Sequence, residues 1–204
     1  MARSKRLLAY HKPPVEIRAA AWNRNYLTPL ELFRIQAWKS GQGLGFLSLN
    51  SQDEIEEVTG EAMVTLEPWK NLDAFNFTEL GLWGDWRSSV SEAIGIEGLS
   101  GLLRLQGVGY PRATAVLTIL DPSVWPVMDA FAVNAVFGAI SRFNWHRAVV
   151  YRAFAEHLAT EGHRCWPELV NIHEVDQAAM NTSDDEIGDV ALPDDWTYAS
   201  VPLK

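Results

Sequence analysis

The chain has 204 residues, 48% of them hydrophobic, enough for one domain or two tightly joined lobes whose core needs no covalent staples. Its single cysteine, Cys165, excludes an internal disulfide framework and a four-thiolate iron–sulfur centre, and no uncharged apolar run approaches membrane-spanning length. The net charge of −9 is uneven, with +6 over residues 1–40, −9 over 53–97, +1 over 99–170 and −7 over 171–204, which excludes a broad basic surface but not a local one.

Residues 1–26 read as a basic N-terminal arm, with Arg3, Lys5, Arg6 and Lys12 ahead of Pro13 and Pro14. No hydrophobic leader follows Met1, so the protein is expected to be soluble and cytoplasmic. A helical domain is expected over 27–180. It opens with Thr28-Pro29-Leu30-Glu31, a capping box that predicts a helix over about 29–39 with Leu30, Phe33, Ile35 and Trp38 as its apolar stripe. Lys39 at its end is a secondary site candidate, although a lysine in a last helical turn also complements the helix dipole.

Ser51 and Glu54 repeat the capping logic and predict a second helix through about Leu66, with Ala62, Met63 and Leu66 turned inward. The stretch 72–86 carries Phe75, Phe77, Leu80, Leu82, Trp83 and Trp86, interleaved with Asp73, Glu79 and Asp85. Its acids would repel phosphates, so packing is the expected role. Helices over about 85–94 and 99–104 lead to Gly107-Val108-Gly109, where two glycines permit strained backbone. Pro111 then stands where a helix beginning near Tyr110 tolerates proline. A turn of this kind before a helix N-terminus suits a phosphate oxygen.

After that helix come a turn at Asp121-Pro122, an extended piece over 124–127, and Asp129 at the mouth of another apolar helix over about 131–140. Asn144 is placed to cap a helix running to about Thr160, and a last helix is expected over about 167–180. His146, His157, His163 and His173 have no metal-ligand spacing and read as surface or capping residues. Residues 181–204 form an acidic tail without sustained periodicity.

Leu105-Gln106-Gly107-Val108-Gly109, with Asp129 following Gly107 by 22 residues in Pro126-Val127-Met128-Asp129, resembles the helix-hairpin-helix DNA glycosylase superfamily. The resemblance implies an all-α helix-hairpin-helix glycosylase-like fold, with the motif at about 99–120 and a cleft between an N-terminal and a central helical lobe. It further implies DNA as partner through Gly107, Val108, Gly109, Tyr110 and Arg112, catalysis by Asp129, and no metal or organic cofactor. Two positions depart from the family. Pro111 stands where strand-nicking members carry a nucleophilic lysine, so a Schiff-base step there lacks its amine. Phe131 replaces the His or Asn common two residues beyond the aspartate.

The expected activity is therefore monofunctional hydrolysis of the N-glycosidic bond of an altered base flipped out of DNA. In that reaction a carboxylate stabilises the oxocarbenium-like sugar. The alternatives are a non-catalytic hairpin module that grips DNA, and a helical protein-interaction domain that kept the fold.

Overall fold

A computed structural model gives the architecture and describes residues 12–40, 43–95, 98–128, 132–133, 136 and 148–181. Among the described residues the protein is all-α, with helices joined by turns and no strand. Among the described residues seven helices of 9 residues or more carry the fold: α1 (Glu16–Arg24), α2 (Pro29–Lys39), α3 (Gln52–Leu66), α4 (Trp83–Ile94), α5 (Tyr110–Leu120), α6 (Ala148–His157) and α7 (Ile172–Asn181). None of the described helices is long and apolar enough to cross a membrane.

The centre of the molecule is α5, in which every residue from Ala113 to Leu120 is buried. A helix apolar on all sides has to be surrounded. Here α1, α2 and α4 pack around it, while α3 packs on α4 and α4 on α6. Beside this assembly runs a column of aromatic rings. Trp69, Phe77, Trp83 and Trp86 follow one another at centroid separations of 5.6, 5.1 and 5.4 Å, and Trp86 meets Trp125 and Tyr151 at 5.0 and 5.3 Å. The aromatic stretch 72–86 thus supplies core, with Phe77, Trp83 and Trp86 buried.

The start of α2 follows its sequence signature. Thr28 accepts from the Glu31 N–H, and the Glu31 carboxylate accepts from the Thr28 N–H at 2.9 Å while pairing with Arg24. Ser51 caps α3 in the same way, accepting from the Glu54 N–H at 3.1 Å.

Three expectations are corrected. Residues 16–24, assigned to a basic arm, form α1, because Ile17 and Ala21, spaced by four, give it a buried side against α5. The inward row of α2 is Leu32, Ile35 and Gln36, whereas Leu30 and Phe33 face solvent. A glutamine in the third inward position disguised that row; its Nε2 donates to the Arg112 carbonyl at 3.4 Å. His173 is buried on α7, edge-on to Trp38 at 6.2 Å and 3.5 Å from the Asp176 carboxylate.

Candidate nucleic-acid interface

The hairpin is built by one turn and two clasps. The Val108 N–H closes the turn on the Leu105 carbonyl at 3.1 Å, and the Val108 side chain plugs into the core. Asn50 is the first clasp. Its Oδ1 accepts from the Gln106 N–H at 2.7 Å, and its Nδ2 donates to the Gln106 and Leu47 carbonyls at 3.1 and 3.0 Å. The amide nitrogen and the amide oxygen are thus both engaged, which locks the 3-10 turn Leu44–Leu49 to the hairpin.

Arg112 is the second clasp. Its Nη1 donates to the Gly107 carbonyl at 2.6 Å and its Nη2 to the Ser40 carbonyl at 3.4 Å, tying the end of α2 to the hairpin. Partial burial lowers the guanidinium pKa from its ordinary value. Arg112 therefore supports the turn from behind, with carbonyls as its described acceptors.

The two hairpin glycines serve different purposes. Gly107 has φ +79°, and a Cβ there would lie 2.9 Å from the Phe46 Cβ and 3.3 Å from the Leu47 nitrogen. The fold requires glycine at that position. Gly109 has φ −93° and ψ 176°, ordinary extended backbone, and a Cβ added to it meets nothing within 4 Å. It is exposed and caps α5 without any side-chain hydrogen bond, followed by Pro111 in the first turn. Neither backbone conformation nor packing calls for glycine at 109.

The site residues expected from sequence thus divide. Gly107, Val108, Gly109, Tyr110 and Arg112 occupy one turn and the helix start after it, with Gly109 outward and Val108 and Tyr110 inward. Tyr110 meets the Tyr151 ring edge-on at 6.4 Å, and burial raises the pKa of both phenols above the usual range. Lys39 ends α2 one residue before Ser40, so the Arg112 clasp brings its helix end to the hairpin. Asp129 and Phe131 lie outside the described residues. The chain ahead of them is fixed: the Thr114 hydroxyl accepts from the Met128 N–H at 3.1 Å, and the Tyr151 hydroxyl donates to the Pro126 carbonyl at 2.6 Å.

A cavity of about 460 Å³ opens beside Gly109, walled by Val90 and Ile94 of α4, Leu103, Val108, Tyr110 and Pro111, with Ser91 adding a hydroxyl. That volume falls in the range of small-molecule pockets. The described cations near the hairpin are engaged within the protein: Arg104 pairs with Glu57 at 2.8 Å and reaches Glu61 at 3.9 Å.

Sequence reading missed Asn50, whose signal is a buried amide at the end of a 3-10 turn, invisible without its partner 56 residues away. It also missed Phe46 as the wall behind Gly107. No family model, no curated protein and no solved structure matches this chain.

Proposed function

We propose that this protein binds DNA through the turn 105–110 and hydrolyses the N-glycosidic bond of an altered base. The observation that carries the reading is Gly109. A glycine that the fold does not need, exposed at the cap of the central helix, is explained by close approach of a ligand backbone. A helix start with free space before it suits a phosphate oxygen.

A strand held there presents its neighbouring nucleotide to the apolar cavity beside Tyr110 and Pro111. Extruding a base costs a few kcal/mol, least where pairing is already weak. In the chemical step the C1′–N bond breaks and the base leaves with the bonding pair, then water adds to the cationic C1′ and the proton it loses balances the one the base gains. Asp129 is assigned to stabilise the cationic sugar between those events. Pro111 offers no amine, so the reaction ends at the abasic site without strand cleavage.

The test is release of bases from duplexes carrying uracil, oxidised, alkylated or hypermodified bases, developed by alkali, with Asp129→Asn in parallel. Wild-type release that falls about 100-fold or more in the variant supports the assignment. Salt-sensitive binding without release from any substrate leaves a DNA-binding module, and absence of binding removes DNA from the reading.

A further inference from the structure

The outward side of α2 carries a pocket of about 340 Å³, separate from the cavity beside Gly109. Its walls are Phe33, Arg34, Ala37 and Trp38 of α2, with Lys12 and Pro14 from the chain ahead of α1. Phe33 is 44% exposed and Trp38 half-buried, because the packing row of the helix is Leu32, Ile35 and Gln36. The core therefore does not call for an aromatic ring at position 33. Two rings beside an ammonium and a guanidinium, with no acid among these walls, fit an occupant that is aromatic and anionic together.

One segment of the chain has that chemistry. Residues 182–204 lie outside the described residues, and their sequence carries six acidic side chains against Lys204. Within them Asp194-Asp195-Trp196-Thr197-Tyr198 sets two carboxylates directly before two aromatic rings. The segment follows α7, and α7 passes the pocket, where His173 meets the Trp38 ring edge-on at 6.2 Å. Asn181 stands eight residues beyond His173, about 12 Å further along the helix. The 13 residues from Asn181 to Asp194 span about 43 Å when extended, so reach does not limit the contact.

We propose that Asp194–Tyr198 docks in this pocket, with Trp196 against Phe33 and Trp38 and the two aspartates against Lys12 and Arg34. Arg34 already pairs with Glu16, but both side chains are about half exposed, at 48% and 59%. Exposed pairs of this kind are weak, and a guanidinium forks to more than one acceptor. Tethering gives the segment a high effective concentration at the pocket, so modest contacts suffice to fill it. Neither pocket nor segment includes a hairpin residue, and the contact is independent of DNA binding.

The experiment digests the full chain with chymotrypsin and follows cleavage after Trp196 and Tyr198 by mass spectrometry. Each rate is taken relative to that of a free peptide, residues 190–204 of the same sequence. Docking should slow cleavage of wild type about tenfold, since cleavage tracks the undocked population. Lys12→Glu with Arg34→Glu should remove the protection, and so should Asp194→Lys with Asp195→Lys. Combining all four substitutions should restore it, because the charges are then exchanged and the rings unchanged. Thermal unfolding of each variant verifies that the fold is intact.

Wild-type cleavage as fast as that of the peptide overturns the proposal. Protection that survives Lys12→Glu with Arg34→Glu, or that the combined variant does not regain, overturns it as well. Protection that rises with protein concentration assigns the pocket to the segment of a second copy and overturns docking within one chain.

Discussion

The two ends of α5 are finished in opposite ways. At its C-terminal end, where carbonyls lack helical partners, Arg18 Nε donates to the Ile119 carbonyl at 2.8 Å and Trp22 Nε1 to the Leu120 carbonyl at 3.0 Å, both from α1. At its N-terminal end stands Gly109, which has no side chain to offer the first N–H groups and open space before it. One end is closed by side chains from about 100 residues earlier in the chain; the other is capped by an exposed glycine. The difference lies within a single helix: the closed end anchors α1, whereas at the other end the Arg112 and Ala113 N–H groups donate to the Gly109 carbonyl at 2.9 Å and nothing from elsewhere in the described fold packs over Gly109.

Gly107→Ala is the largest test of that comparison. It places a Cβ at φ +79° against Phe46, so stability should fall by about 2–3 kcal/mol in urea unfolding. Arg18→Met comes next. It keeps the aliphatic stem but leaves the Ile119 carbonyl without its donor, and it should cost about 1–2 kcal/mol with no change in affinity for DNA beyond that due to unfolding. Gly109→Ala inverts the pattern. It should change stability by no more than about 0.5 kcal/mol, because nothing lies within 4 Å of the added methyl, while DNA affinity drops. If Gly109→Ala proves as destabilising as Gly107→Ala, the open end is structural and the comparison fails.

How much of this was legible in the sequence follows from the range of the interactions. The capping box at Thr28 and Glu31, the cap at Ser51 and the start of α5 at Tyr110 depend on neighbours within four residues, and all are where local chemistry places them. The clasps are different. Asn50 finds Gln106, Arg112 finds Ser40, and Arg18 finds Ile119 across the fold, and nothing in the local spelling of those segments announces it. Arg18 is the instructive case. Counted as one of eight basic residues in the first forty, it suggested an arm on the surface, yet it is a half-buried donor to the central helix. The motif glycines were legible as a pair but not as individuals, because only the packing of Phe46 against residue 107 shows which one the fold itself requires.

The smallest test concerns Asp121, which follows the last residue of α5 at its closed end. A carboxylate there sits at the negative end of the helix dipole and is buried. Its Oδ1 accepts from the Ser123 N–H at 3.0 Å, while Oδ2 is buried without a hydrogen-bond donor. Burial raises its pKa, opposed by the Ser123 hydrogen bonds and by the charges of Arg18 and Lys70. An acid whose folded pKa lies above its unfolded value of about 3.9 binds more protons in the folded state across that interval. Its contribution to stability therefore falls as pH rises from about 4 through the folded pKa, and is level above it.

Asp121→Asn keeps an acceptor for Ser123 and cannot ionise. Relative to wild type it should gain stability as pH rises through that window, then hold a constant difference. Removing Arg18 takes away one of the charges that hold the carboxylate ionised, so the same pH dependence should be steeper in the Arg18→Met background. Paired urea titrations from about pH 3.5 to 8 would show it. A difference between wild type and Asp121→Asn that is flat with pH would mean that the closed end of α5 accommodates an ionised carboxylate as readily as water does, and that Arg18 closes this end by its charge as much as by its hydrogen bond to Ile119.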